Sequence, residues 1–363
     1  MKKITFTVTN DLVYDQRMQR ICASVANAGY EVILIGRKLK NSTPLKAENY
    51  QQKRLFCFFT AGKLFYLEYN LRLLFLLLFT TAECFCAIDL DTILPNYFAS
   101  VLKGKKRVYD AHELFTEQKE IVTRPAIKKM WLAVERFAVP KFQQGYTVND
   151  FIVNELKSRY GVHYGIVRNL PKLNRITPAS NNQNPFIIYQ GAVNEGRSFE
   201  TLIPAMKKVN ARLVVCGNGN FFEQVKQLIK DNKVEDKVEL KGMVQPDELR
   251  KITPQASVAV MLFENTGLNQ YQSLANRFFD YIMAGVPQLC VNYPQYKAIN
   301  DQYNIAALIS DTQEDSIANG LNNLLENSVV LNQLHTNCIT ARERLNWENE
   351  EKTLIEFYKN LFS

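Results

Sequence analysis

Only three histidines occur in the 363-residue chain, and its seven cysteines form no Cys-x-x-Cys pair. Zinc sites are built from such ligands, so a structural zinc centre is disfavoured and no metal is expected. An odd cysteine count argues against a disulfide framework and for a reducing, cytoplasmic setting. Cys84 and Cys86 lie on one face of an expected strand, where they read as core. Met-Lys-Lys-Ile-Thr-Phe-Thr-Val runs from two cations straight into a strand pattern, so it is not expected to act as a secretion signal. The most apolar run, Leu71 to Phe79, contains Arg72, follows Glu68 and is too short to span a bilayer. The first strand is not followed by Gly-x-Gly-x-x-Gly, which weakens a dehydrogenase reading. Internal repeats and low-complexity runs are absent as well.

What is present is globular. Hydrophobic residues make up 47% of the chain and charged residues 22%, and the length favours two domains of ordinary size. Charge is unevenly divided. Residues 1–168 carry 25 Lys and Arg against 15 Asp and Glu, whereas residues 169–363 carry 19 against 21. A basic first half facing a neutral second half suggests an anionic partner for the first: a membrane surface, a lipid-diphosphate acceptor or nucleic acid. No nucleic-acid motif and no interleaved aromatics accompany the charge. The expectation is therefore an anionic membrane and no nucleic acid, with Lys103, Lys105, Lys106 and Arg107 as the densest cluster.

Along the chain, Ile4–Thr9 and Glu31–Gly36 alternate as strands around an apolar helix from about Met18 to Ala28, the opening of a doubly wound sheet. Arg54–Phe59, Cys84–Ile88, a strand ending in Val108-Tyr-Asp-Ala-His-Glu, Gly145–Val148 and Tyr164–Arg168 continue the sheet, with helices over 64–79, 92–102, 126–139 and 151–160, the last capped by Asp150. Asn169-Leu-Pro171 and the polar stretch Thr177–Pro185 read as a linker. The pattern then restarts. Phe186–Gln190 is an apolar strand leading to Gly191-Ala-Val-Asn-Glu-Gly-Arg-Ser198 and a helix over 199–209. A glycine-bearing loop that delivers a helix N-terminus favours phosphate, and Arg197 adds a bidentate cation there. Leu213–Cys216 runs into Gly217-Asn-Gly219, Val238–Val244 reads as an edge strand, and Ser257–Leu262 feeds Glu264-Asn-Thr-Gly267. Gln288–Asn292 and Ala306–Ser310 are further strands, and Trp347–Leu361 is a final amphipathic helix.

The most distinctive stretch is Ser273-Leu-Ala-Asn-Arg-Phe-Phe-Asp-Tyr-Ile-Met-Ala-Gly-Val-Pro287. Leu274, Phe278, Phe279, Ile282 and Met283 recur at helical spacing, Ser273 suits the N-cap, and Gly285 with Pro287 ends the helix. Asn276 and Asp280 share a face at i, i+4. This stretch resembles the S-L-P-N-K-L-F-E-Y-M-A-A-G-x-P helix of family 4 glycosyltransferases, with Ala275 for Pro, Arg277 for Lys and Asp280 for Glu. Asp89-Leu-Asp-Thr-Ile and Tyr109-Asp-Ala-His-Glu-Leu-Phe115 resemble two further motifs of that family, so the likeness extends to both halves.

The resemblance implies the GT-B architecture: two Rossmann-like doubly wound α/β domains facing across a cleft. By this reading residues 1–168 form an acceptor-side domain, residues 169–346 bind the donor, and the helix 347–363 packs back on the first. It implies a retaining, metal-independent transfer of a hexose from a nucleotide-diphosphate sugar to a glycan or lipid-linked acceptor in cell-surface polysaccharide assembly, at the inner membrane face. Arg197 and Arg277 would meet the diphosphate, Asp280 the ribose and His112 the transferred sugar. Gly191, Gly217, Gly219, Glu264, Ser273 and Asn276 would frame the donor, with Met243 and Val244 reading the base. Asp89, Asp91, Asp110 and Glu113 occupy the strand-end edge on the acceptor side. Asp89-Leu-Asp91 is a D-x-D, yet its position away from the diphosphate argues against a manganese site. One departure is Gln272, where many relatives carry a glutamate eight residues before the Asp280 position; Glu264 or a neutral amide would take that role. Two alternatives share the layout: a nucleotide-sugar 2-epimerase using Asp89, Asp110 and Glu113 as acid–base groups, and a non-catalytic nucleotide-sugar-binding subunit.

Overall fold

In the computed structural model, which describes residues 1–175 and 185–363, short Val-, Ile- and Phe-rich runs form parallel strands buried on both faces, as helices on each side of a sheet require. Seven strands make the first sheet: β1 (Lys3–Thr7), β2 (Glu31–Lys38), β3 (Gln51–Phe56), β4 (Cys84–Ile88), β5 (Lys106–Ala111), β6 (Gly145–Thr147) and β7 (Gly165–Ile166), in the order β3-β2-β1-β4-β5-β6-β7. Six make the second: β8 (Phe186–Gln190), β9 (Arg212–Cys216), β10 (Val238–Gly242), β11 (Val258–Met261), β12 (Gln288–Val291) and β13 (Ala306–Ile309), in the order β10-β9-β8-β11-β12-β13. Both sheets reverse direction once, between β1 and β4 and between β8 and β11. That switch point opens a crevice beyond the carboxyl ends of the strands.

The chain divides into two compact units, Met1–Asn169 with Glu350–Ser363, and Leu170–Asn349. Thr177–Pro185 of the expected linker lies, apart from Pro185, outside the described residues. In the first unit the helices are α1 (Gln16–Asn27), α2 (Gly62–Phe79), α3 (Ile93–Leu102), the single turn α4 (Lys119–Val122), α5 (Pro125–Ala138) and α6 (Asp150–Tyr160). Right-handed crossovers place α2, α3 and α5 on one face of the sheet, where α2 packs on α3 and α3 on α5. The last helix, Trp347–Phe362, lies with α1 on the opposite face: Ser24 donates to Glu351 at 2.5 Å, and Tyr358 is fully buried with its ring 5.9 Å from Phe6 and 6.4 Å from Tyr146.

Some local expectations are corrected. The cap of α6 is Asn149, which accepts from Ile152 N–H at 2.9 Å, so Asp150 is the first helical residue. Helix Ser328–Arg342 has no counterpart in the sequence reading; its inward residues Leu334, Cys338 and Ala341 are too sparse to show a strong period. The basic turn after α3 is not a free cationic patch. Lys103 Nζ caps the carboxyl end of α2, donating to Leu78 O at 3.0 Å and Thr80 O at 2.7 Å. Arg107 lies over the Tyr97 ring, and Lys106 Nζ donates to Leu361 O.

Because Tyr358 fills the core between the last helix and the sheet, Tyr358→Ala is expected to destabilise the first unit by about 3–5 kcal/mol. Urea unfolding followed through Trp131, which belongs to that unit, measures it; an unchanged midpoint would detach the helix from the core.

Candidate functional site

The second unit's switch point is built from glycine. A Cβ on Gly217 would stand 1.8 Å from Gly191 O, and one on Gly219 would stand 2.3 Å from Val193 O. Only glycine lets the loops after β8 and β9 close on each other, with Gly191 N–H donating to Cys216 O at 2.9 Å and Val193 N–H to Asn218 O at 3.1 Å. Gly191 itself has φ +114°, a conformation that side chains resist. The helix entered next, α7 (Phe199–Ala205), is shorter than expected, since Pro204 turns it into a 3-10 turn over 206–208. The remaining helices leading to the motif are α8 (Phe222–Asn232), α9 (Pro246–Ile252) and α10 (Leu268–Tyr271), and the motif helix is α11 (Asn276–Ala284).

Helix α11 starts three residues after Ser273. Ser273 is not its cap: Ala275 occupies that position, its N–H donates to Tyr296 Oη at 3.1 Å, and Ser273 Oγ turns back to Gln270 O at 2.9 Å. Gly285 ends the helix in the left-handed conformation, as expected. Arg277 points inward beneath the Gly191 loop, only 8% exposed. Its Nη1 donates to Tyr189 Oη at 2.6 Å and lies 3.6 Å from where a Cβ on Gly191 would be. Its guanidinium sits 4.5 Å from the Tyr189 ring centre and 4.7 Å from that of Phe263. Arg197 covers the same Phe263 ring at 4.2 Å.

Two guanidinium groups thus share one aromatic ring at the switch point. Among the described residues neither pairs with a carboxylate, and Arg197 Nε has no partner at all. Burial first, and then the charge of Arg277, hold the Arg197 guanidinium below its usual range. An arrangement of this kind is stabilised by a multiply charged anion. The roles of the two cations differ from the sequence expectation. Arg277 has its donors engaged and supplies charge from below; Arg197 is the one able to touch a ligand.

Around this pair, Glu264 N–H donates to Gly196 O at 3.1 Å, which ties the loop after β11 to the Arg197 loop. Asp280 is half-buried and accepts from Gln190 Nε2 at 3.2 Å, while Gln190 Oε1 accepts from Thr253 Oγ at 2.7 Å. Asn276 stands exposed one turn before it. Gln272 accepts from Gln295 at 3.3 Å. At the sheet edge Gly242 has φ +65°, Met243 is 73% exposed and Val244 packs on the core.

The first unit's switch point holds a charge cluster. Asp110, fully buried at the end of β5, binds Arg17 Nη2 at 2.9 Å and lies 3.1 Å from His112 Nε2. Arg17 Nε is 2.8 Å from the same nitrogen, and Arg17 Nη1 donates to Val167 O at 3.0 Å. Asp89 accepts from His112 N–H at 2.9 Å and lies 3.3 Å from Nδ1. Asp89 has φ 56°, strained for a residue with a side chain. Two carboxylates against one guanidinium leave a negative charge that an imidazolium balances. Burial opposes that charge, but Asp89 and Asp110 outweigh it and push His112 up to about 10.

The acceptor-side assignments change accordingly. Asp110 is inaccessible and serves to hold Arg17 and His112, which removes it as a base for an epimerase. Asp91 is buried as well, accepting from Thr9 Oγ at 2.5 Å across the switch point. Burial, and next the charge of Asp89, push its carboxyl up to about 7. Glu113 is half-buried and accepts from Gln118 at 2.5 Å. Both ring nitrogens of His112 are engaged, so what it offers outward is charge. The sequence reading missed Arg17 because it began α1 at Met18; Asp15 caps the helix, accepting from Met18 N–H at 3.0 Å, and places Arg17 in the first turn. Gln190, Tyr189 and Phe263 were missed because they read as strand interior.

A raised folded-state value for His112 gives stability that is full below its unfolded value of about 6.5 and is lost as pH rises through 10. Melting temperature should therefore fall between pH 7 and 10, and His112→Gln should flatten that slope. For Asp91 the folded form binds the extra proton between about 4 and 7. Stability falls as pH rises through that window, and Asp91→Asn, melted at pH 5 and pH 8, should show relatively greater stability at the higher pH.

Residues 172–344 match the family model described as Glycosyl transferases group 1. An uncharacterized glycosyltransferase of Methanocaldococcus jannaschii is 26% identical over 180 residues, a match that covers 48% of this chain and 44% of that relative, less than half of either. Among solved structures, sucrose-phosphate synthase from Thermosynechococcus elongatus aligns over 100% of this chain and 99% of its own, with a TM-score of 0.83 at 14% identity. HepE of Anabaena in complex with UDP-glucose covers 99% of this chain and 100% of its own, with a TM-score of 0.76 at 10% identity. WaaG, a glycosyltransferase involved in lipopolysaccharide biosynthesis, covers 97% and 98%, with a TM-score of 0.74 at 14% identity. The chain has the GT-B fold of two Rossmann-like α/β domains, within which residues 172–344 match the Glycosyl transferases group 1 model.

Proposed function

We propose that the protein is a retaining glycosyltransferase that moves a hexose from a nucleotide-diphosphate sugar to a glycan or lipid-linked acceptor in cell-surface polysaccharide assembly. The observation that carries this reading is the pair Arg197 and Arg277 on Phe263, two cations that pair with no carboxylate among the described residues, beside glycine loops at a switch point. Such a site suits a diphosphate leaving group, whose charge grows as the glycosidic bond breaks. Fixed cations in a low-dielectric setting stabilise that charge without reorganising. Asp280, which accepts from Gln190, would accept ribose hydroxyls. The group 1 domain match over the same residues supports the donor assignment, and HepE, solved with UDP-glucose, supports a UDP-sugar as the first donor to try. At the first unit's strand ends the His112 cluster, balanced between Asp89, Asp110 and Arg17, offers polar partners suited to sugar hydroxyls.

On this reading the reaction needs no metal, because the two guanidinium groups neutralise the diphosphate. Activity should survive EDTA; abolition by EDTA with rescue by manganese overturns the assignment. Proton NMR of the first-formed product should show the anomeric configuration of the donor.

Arg197 and Asp280 should separate kinetically. Arg197→Ala should lower kcat by about 10²–10³, since its partner's charge develops in the transition state. Asp280→Asn removes a contact present equally in ground and transition states, so its loss of roughly 1.5–3 kcal/mol should appear mainly in donor KM. Steady-state kinetics with UDP-glucose, with melting as the control, provide the measurement. Wild-type kinetics in a folded Asp280→Asn protein would return α11 to being core alone.

A further inference from the structure

The loops that follow β1, β2 and β3 leave the first sheet at the carboxyl ends of neighbouring strands and are tied into one surface. Arg37 joins the first loop to the third: its backbone N–H donates to Asn10 O at 2.9 Å and its Nη2 to Thr60 O at 2.5 Å. Asp11 joins the first loop to the second by accepting from Ser42 Oγ, and Arg54 Nη1 lies 3.4 Å from the same carboxylate. Leu12 is fully buried and seats the first loop on Gly36, where a Cβ would stand 2.3 Å from its side chain. Gln19 Nε2 donates to Leu12 O at 2.8 Å and to Val13 O at 3.1 Å. A loop anchored at so many points is held in one conformation.

What these loops turn outward is selective. Their acids are withdrawn or engaged. Asp11 is buried, Asp15 caps α1 and accepts from Asn10 at 3.0 Å, and Glu68 accepts from the N–H groups of Phe58 and Phe59 at 3.0 Å each. Their aromatics face solvent, with Tyr14 70%, Phe58 74% and Phe59 47% exposed. Lys38, Lys40 and Lys63 are exposed as well and pair with no carboxylate among the described residues. An aromatic ring presented by an anchored loop is preorganised to receive another ring at little entropic cost. The C–H face of a pyranose packs on such a ring, while its acidic substituents seek cations. Past β1 the same edge continues to β4 and β5, after which come Asp89 and His112.

We propose that the loops after β1, β2 and β3 are the subsite for an acidic glycan, whose pyranose rings pack on Tyr14, Phe58 and Phe59 and whose carboxylates meet Lys38, Lys40 and Lys63. The glycan lies along the sheet edge toward His112. This inference rests on the glycosyltransferase reading and names the class of its acceptor: a chain of sugar acids, in place of a lipid diphosphate.

Calorimetric titration of the full chain, with no donor present, tests it. The ligands are tetragalacturonate, tetraglucuronate and a hyaluronan tetrasaccharide, with cellotetraose as the neutral control and tetrapolyphosphate as the control for charge without sugar. At least one acidic tetrasaccharide should bind about 10-fold more tightly than cellotetraose. Tyr14→Ala should weaken that binding about 3- to 10-fold, and the double variant Lys38→Gln, Lys40→Gln by a similar factor of about 3 to 10. Melting temperature and affinity for UDP should stay unchanged in both. The proposal is overturned if no acidic tetrasaccharide binds, if cellotetraose binds equally well, or if Tyr14→Ala keeps full affinity, which would reduce the surface to unspecific charge attraction. Tetrapolyphosphate binding as tightly as the sugars overturns it for the same reason. Failure of the glycosyltransferase reading looks different: UDP would not bind, while acidic tetrasaccharides would still bind in a Tyr14-dependent way.

Discussion

The second unit is organised around a buried cation, Arg277, that has no counter-ion among the described residues. Arg277 rises from α11 into the space under Gly191 and is held there by Tyr189 Oη, the Tyr189 ring and the Phe263 ring. Burying a charge is costly unless something compensates, and here two π faces, the Tyr189 hydroxyl, Met261 Sδ and the Leu262 carbonyl do so without a counter-charge among the described residues. Arg197 stacks on the same Phe263 ring, and Gly217 closely approaches Gly191 in the loop above. A side chain at 191 would crowd the Arg277 guanidinium, and one at 217 would collide with the Gly191 backbone.

The first unit solves a related problem with opposite emphasis. Its switch point carries more acids than bases, and Asp110 and Asp91 are withdrawn from solvent. Arg17 brings α1, the end of β5 and the strand-end residue Val167 to one point. Asp89 accepts backbone strain in order to grip His112 by its amide and its ring. These acids work as a frame for one imidazolium. The strand-end position that makes them look like ligand contacts in the sequence is the position where a parallel sheet leaves its backbone and side chains most in need of partners.

Charge and apolar surface divide the labour in a way that composition conceals. The net positive charge of the first 168 residues suggests a diffuse electrostatic attraction. In the folded chain several of those cations are structural, capping helices or stacking on rings.

The sequence by itself determined the class of fold, the alternation of strand and helix, and the places where loops emerge at strand ends. Those features depend on local period and on glycine and proline, which act within a few residues. It also determined the inward face of α11 and its stop at Gly285. The direction of polar side chains was decided only in three dimensions. Ser273 looks like a cap and is not one, because Ala275 is extended and takes the cap position, with its N–H donated to the Tyr296 hydroxyl twenty-one residues away. Arg17 and Gln190 look unremarkable in sequence, and their partners Asp110 and Asp280 lie 93 and 90 residues away. A hydrogen bond or ion pair between distant residues leaves no periodic trace in the chain, so the wiring of both sites belongs to the tertiary structure, whereas their location at the sheet edges was already written in the order of the strands.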